Sequence, residues 1–353
     1  MNTLSGYRNI LIIKLRYVGD VLLATPVLRA LRERYPAAKL TMMVNWGTGD
    51  VIKWNPDLND VIVVDRGGIA AQLRALQQVR QGRFDCVIDL TDGDRSAILT
   101  WFTRAPVRIG FNDEHRWRGR LYTTIVPALS GAVHRVERDL AALTPLKIKS
   151  KPRPLVLHTS RNDEEAADRL LQELGVMESS GNIRKPIVVL HPGARYWFKA
   201  WPADRFAQLA DRLTEVCDCK VLVAGGPDDL DMFNAIQTQA KSSLVAIAGR
   251  ATLLQFAAVL KRSAAFIGND NGAMHIAAAV GTPVVGLFGP SNPREWGPCG
   301  TNVKTIYKAL DCRACFHPTC QRGEQNCMKQ ISVEEVFRAV MDLMPLHVRV
   351  KEG

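Results

Sequence analysis

Short, nearly unbroken runs of Val, Ile and Leu alternate along the chain with longer stretches whose apolar positions recur at helical spacing. A run that is apolar throughout suits a strand covered on both faces, so the alternation predicts parallel sheets with crossover helices. In the first half, 10–13, 40–44, 61–64, 86–89 and 107–110 read as strands, and 21–34, 69–81 and 95–103 as helices. The segment 146–162 departs from the pattern, being basic, proline-containing and aperiodic. A helix at 163–174 follows, and strands resume at 187–190, 221–224, 244–246, 265–267 and 284–288. At 353 residues the chain is also too long for one ordinary core. The expectation is two α/β domains of similar layout, 1–160 and 161–353.

Open parallel sheets bind ligands beyond the carboxyl ends of their strands. In "KLRYVGDVLLATPVL" (14–28), Asp20 follows Gly19 at such an end, between the first strand and the first helix. In the second half "HPGARYWFKAW", "GGPDD", "GR" and "GNDNGAMH" occupy the equivalent place, and two facing sets of loops describe a cleft. Gly193 lets backbone N–H groups approach a ligand, and Lys199, between Trp197 and Trp201, adds a point charge; a diphosphate requires both. The plainer alternative for Lys199 is a solvated loop lysine. Pro202 reads as the first turn of the next helix.

In "FIGNDNGAMHIAAAV" (266–280), Asp270 or Asn271 caps a helix that contains His275, and Gly272 leaves room over a first turn that favours an anion. Taken singly, Asp270 is no more than a cap and His275 a core histidine. Gly225 and Gly226 end a strand, after which Asp228 or Asp229 can accept hydrogen bonds from ribose hydroxyls. With a nucleotide diphosphate on the second domain, its sugar faces the first. Asp20 is then positioned to take a proton from an acceptor hydroxyl; an N-cap is the competing role.

The composition, 47% hydrophobic and 23% charged, is that of a globular protein. The best candidate span, 276–288, is short and interrupted by Pro283, and Lys14 and Arg16 break the apolar N-terminal run, so a cytoplasmic protein is expected. Net charge is +11, and residues 1–160 carry 24 Lys/Arg against 14 Asp/Glu. That field suits an anionic partner, whether a phosphorylated substrate, an acidic membrane or nucleic acid; it equally suits a surface kept basic for solubility. No nucleic-acid recognition motif is present. Arg16, Arg95 and the trio Arg116, Arg118 and Arg120 around Trp117 are the candidate anion contacts. Cys312, Cys315, Cys320 and Cys327, with His317 among them, contain a single CxxC, which favours a thiol-rich loop over a zinc site.

These stretches together resemble glycosyltransferase family 9, the ADP-heptose:lipopolysaccharide heptosyltransferases. The resemblance runs through "LRYVGDVLLATPVLRALRERYP", "HPGARYWFKAWP", "NDNGAMHIAAAVGTPVVGLFGPSNP" and the tail "CRACFHPTCQRGEQNCMKQI". Within the family it is most similar to the core heptosyltransferase III type. The resemblance implies a GT-B fold of two Rossmann-like domains, with the acceptor on the first and the ADP-sugar donor on the second. It implies inverting transfer of L-glycero-D-manno-heptose to the lipopolysaccharide inner core at the cytoplasmic face of the inner membrane, with no cofactor or metal. Asp20 matches the general base, Lys199 a phosphate-contacting lysine, and Asp270, Gly272 and His275 a D-x-G-x-x-H donor segment. Where some members have phosphate-binding threonines, this chain has Ala194, which has no hydroxyl, and Asn271, which replaces one only in part, and this passes more of that role to backbone N–H groups. The basic first domain is then matched to the acidic inner core. A nucleotide-sugar epimerase or phosphorylase on the same fold is the alternative.

Overall fold

The computed structural model describes residues 6–65, 67–312 and 320–344. The chain divides into two compact units, Met1–His158 and Thr159–Gly353. Unit 1 runs β1 (Asn9–Lys14), α1 (Val18–Leu23), α2 (Thr25–Arg34), β2 (Lys39–Asn45) and β3 (Asp60–Val64). It continues with α3 (Ile69–Gln81), β4 (Cys86–Asp89), α4 (Asp94–Phe102), β5 (Val107–Phe111), β6 (Thr124–Val126) and α5 (Arg135–Ala141). Unit 2 runs α6 (Arg161–Glu173), β7 (Ile187–His191), α7 (Ala203–Cys217), β8 (Lys220–Val223), α8 (Leu230–Gln239), β9 (Val245–Ala246) and α9 (Leu253–Lys261). It closes with β10 (Ala265–Asn269), α10 (Gly272–Ala279), β11 (Val284–Phe288), α11 (Pro293–Trp296), β12 (Val303–Tyr307), α12 (Cys327–Gln330) and α13 (Val333–Leu343).

Each unit holds a six-stranded parallel sheet, ordered β3-β2-β1-β4-β5-β6 in unit 1 and β12-β11-β10-β7-β8-β9 in unit 2. Reversed, the second order is the first over again. The halves therefore share a doubly wound layout whose strand order switches direction between β1 and β4, and between β7 and β10. Ile10, Leu11, Ile12 and Ile13 are fully buried, as are Phe266 and Ile267, because helices cover both faces of these central strands.

The stretch read as one helix at 21–34 is two, parted at Ala24. Pro26 has no N–H for the carbonyl of Leu22, and the Thr25 hydroxyl donates to that carbonyl instead, at 2.7 Å. Helix α1 begins at Val18, so Asp20 lies inside its first turn and the N-cap position belongs to Tyr17. Pro202 is likewise the residue before α7, not its first turn. Helix α6 starts two residues earlier than expected, because Ser160 and Asp163 close a capping box.

Candidate active site

In unit 2 the loops after β7 and β10 leave the sheet side by side, since His191 pairs in register with Gly268. Two asparagines hold these loops together. Asn269 donates through Nδ2 to the Pro192 carbonyl at 2.7 Å and accepts from the Trp201 N–H at 3.1 Å. Asn271 caps α10, its Oδ1 accepting from Ala273 and Met274 N–H, while its Nδ2 donates to the Gly193 carbonyl at 2.7 Å and meets His191 Nδ1 at 3.0 Å. Burial holds the His191 pKa below its usual value against the field of Asp229, so the neutral ring can accept that second N–H. The Asn271 side chain is thus engaged in bracing the two loops. The adjacent Ala194 offers only its backbone.

Lys199 ends a 3-10 turn, Trp197–Lys199, and its Nζ lies 2.6 Å from Asp270 Oδ2 with both side chains largely shielded. It is therefore not the freely solvated loop lysine of the plainer alternative. Trp201 is buried in the core, donating to the Ile331 carbonyl, and Trp197 is exposed. Between Asp228 and Asp229 the structure discriminates. Asp229 accepts from the Gly226 N–H at 2.8 Å and lies against Gly193 and Gly225, where an added Cβ would come within 2.9 Å and 2.6 Å of its side chain. Gly193 thus leaves room for the Asp229 carboxylate, a reason the sequence reading did not contain. Asp228 is exposed. His275 is buried within α10 behind Gly272.

In unit 1, Asp20 is half-buried and makes no hydrogen bond or ion pair with any described residue. The loop leading to it is pinned to the loop after β4: Leu15 N–H donates to Thr91 Oγ1 at 2.8 Å, and the Arg16 guanidinium donates to the Thr91 carbonyl at 3.1 and 2.9 Å. Beneath it, fully buried Lys14 pairs with equally buried Asp139 of α5 at 2.5 Å and donates to the Leu90 carbonyl. Burial drives the lysine pKa down and the aspartate pKa up, each opposed by the other's charge. Nearby, buried Asp89 accepts from Tyr122 Oη at 2.7 Å and from Thr91 N–H at 2.8 Å. Its pKa is raised by burial against the hydrogen bonds it accepts.

The candidate anion contacts separate into classes. Arg118 is buried and its guanidinium meets Asp92 at 2.9 Å, Asp94 at 3.3 Å and Glu114 at 3.2 Å, so it holds loops together. Arg116 pairs with Asp94 at 3.0 Å on the surface, and Arg95 bonds Gln72. Arg120 is exposed, with no ion pair to a described residue. Arg138, which sequence reasoning missed together with Lys14 and Asp139, joins Asp92 at 2.6 Å to Asp113 at 2.9 Å. A lysine closing an apolar strand was the one signal that a buried partner had to exist. Of the late cysteines, Cys312 is exposed and Cys327 buried; Cys315 and His317 lie outside the described residues. Among the described residues no cluster of three His, Cys, Asp or Glu is placed to hold a metal.

A profile of glycosyltransferase family 9 (heptosyltransferase) matches residues 72–325. Lipopolysaccharide heptosyltransferase 3 of Escherichia coli is 32% identical, covering 94% of this chain and 98% of its own. Lipopolysaccharide heptosyltransferase 2 of Salmonella typhimurium is 27% identical, over 84% and 87%. Among solved structures, a glycosyl transferase family 9 protein from Veillonella parvula DSM 2008 superposes with a TM-score of 0.83 at 25% identity, over 96% of this chain and 97% of that one. The ADP-heptose lps heptosyltransferase II of E. coli gives 0.77 at 24% identity, over 95% and 98%. The paired doubly wound sheets are thus the GT-B fold of these structures.

Proposed function

The chain belongs to glycosyltransferase family 9, the heptosyltransferases, and from that premise we propose that it transfers L-glycero-D-manno-heptose, with inversion, from ADP-heptose to a heptose of the lipopolysaccharide inner core. Unit 2 binds the donor and unit 1 the acceptor. The observation that carries the reading is the carboxylate of Asp20, which makes no hydrogen bond or ion pair with a described residue although its charge reaches Lys14 and Arg135, on a loop otherwise pinned by Leu15 and Arg16.

In the reaction an acceptor hydroxyl gives its proton to Asp20 while its oxygen bonds to the anomeric carbon. The bond from that carbon to the diphosphate oxygen breaks, and its electron pair leaves with ADP. A base here need only lie within hydrogen-bond reach of the hydroxyl. Lys199 and the backbone N–H groups around Gly193 and Gly272 stabilise the departing diphosphate, so no metal or cofactor is needed. Asp228 binds the ribose. Arg16, Arg95, Arg116 and Arg120 receive the acidic inner core, with Arg118 holding their loops in place. The protein works in the cytoplasm, in peripheral contact with the inner membrane.

Asp20→Asn is the test. Turnover with a deep-rough lipopolysaccharide acceptor should fall by about 10²–10⁴-fold while ADP-heptose binding persists; near-normal turnover removes Asp20 from the mechanism. Consumption of ADP-heptose without acceptor would point instead to an epimerase or phosphorylase.

A further inference from the structure

Helices α3 and α4 lie side by side on one face of the first sheet, with Arg95 Nε donating to Gln72 Oε1 at 3.0 Å between them. Their inward faces are ordinary, burying Ala71, Ala75 and Val79 from one and Ala97 and Leu99 from the other. Their outward faces are not. Ile69 is 82% exposed, Leu73 59% and Trp101 50%, and Ile98 and Phe102 also stand open to solvent. The spacings i, i+4 on α3 and i, i+3, i+4 on α4 set these residues in stripes. Exposed Trp117, in a 3-10 turn packed against α4, carries the apolar surface towards the loop of Arg116 and Arg120. Single exposed apolar residues are normal, whereas a grouping on neighbouring helices marks a surface that meets something.

The surrounding charge says what. Helix α3 contains no acid, and the one acid of α4, Asp94, is held by Arg116 and Arg118. Arg80, Arg83 and Arg104, at the C-terminal ends of the two helices, are exposed and make no ion pair with a described residue. Apolar and aromatic side chains bordered by unpaired arginines complement a surface with apolar depth beneath a continuous layer of negative charge. No described helix is long and apolar enough to cross a membrane, so such contact lies on the bilayer and not through it.

We propose that the outward face of α3 and α4 docks on an anionic phospholipid bilayer, with Leu73, Ile98 and Trp101 entering the headgroup–acyl boundary and Arg80, Arg83 and Arg104 meeting lipid phosphates. This rests on, and deepens, the reading of an enzyme acting on a membrane-anchored acceptor.

Co-sedimentation with vesicles of phosphatidylethanolamine and phosphatidylglycerol tests it on the full-length protein. The wild type should bind these vesicles and not vesicles of phosphatidylcholine alone. Leu73→Glu with Trp101→Glu should lower binding by about tenfold or more. Arg80→Glu with Arg104→Glu should lower it and flatten its salt dependence. Both variants should keep wild-type turnover on detergent-dispersed acceptor, which also shows that they fold. Absent wild-type binding, or binding unmoved by either variant, overturns the proposal. So does a wild-type dimer that the first variant converts to monomers while vesicle binding persists, since a second copy would then cover the face. Failure of the transferase reading looks different: vesicle binding is intact and heptose transfer from detergent-dispersed acceptor is absent.

Discussion

The two sheets end in rims braced by different chemistry. In unit 2 the braces are mostly neutral: alongside the Lys199–Asp270 ion pair, Asn269 and Asn271 tie together the loops after β7 and β10, with an uncharged His191 accepting from one of them. In unit 1 they are ionic, with Lys14 on Asp139 and with Arg118 and Arg138 sharing Asp92. A neutral brace adds no charge of its own, which leaves the local potential to the Lys199–Asp270 pair and the peptide dipoles. An ionic brace joins distant segments strongly, but losing one member strands the other in the core.

The sharpest way to break the contrast is Lys14→Met. Leaving Asp139 buried without its partner should destabilise the protein by about 3–5 kcal/mol, whereas Lys14→Met with Asp139→Leu should come within about 1 kcal/mol of wild type. Urea unfolding measures both, and equal effects would show that the pair is not bound by charge. Lys199→Ala comes next. Calorimetry should record about a tenfold to hundredfold loss in ADP affinity, and thermal melts a smaller loss of stability, since Asp270 is left largely shielded without its partner. Asn271→Ala should lower stability by about 1–2 kcal/mol, because two helix N–H groups and the Gly193 carbonyl lose their partner. An unchanged melt would show that water replaces the amide.

The smallest effect belongs to Glu164. Burial alone would raise its pKa, but bonds from Lys261, Thr159 and Arg262 hold it down at about 2 instead of the ordinary 4.5. Its stabilisation is therefore complete above 4.5 and disappears as the pH falls through about 2. Thermal melts should show Glu164→Gln weaker by about 1 kcal/mol at neutral pH, with the gap shrinking steadily as the solution is acidified. A gap that widens in acid would contradict the assignment.

How far the sequence could be read follows from the same contrast. The central strands were legible because both their faces are covered, so they spell continuous apolar runs. Of the edge strands, β3 and β9 were read but β6 and β12 were not: β6 has only three residues, and Lys304 and Thr305 break the apolar run of β12. Helix α5 was missed because RVERDLA looks solvated, although Asp139 is buried in it. Most of the candidate site in unit 2 was proposed from sequence because its loops are contiguous motifs with glycine, amide and lysine at short spacing. What escaped notice there was that Asn271, already a candidate cap, also ties down the loop after β7 through its amide nitrogen. In unit 1, Asp20 could be found beside its strand, but Lys14 and its partner are separated by 125 residues, beyond any local pattern.

The contact of Asp229 with Gly193 and Gly225 has a consequence for anyone transplanting loops among homologous enzymes. A methyl group at Gly225 would overlap the Asp229 Cβ, and one at Gly193 would push the carboxylate away from the Gly226 N–H. A graft of the "GGPDD" turn into a relative carrying a bulkier residue after its His-Pro pair should lose the bond from Gly226 to Asp229, and restoring glycine at that single remote position should recover it.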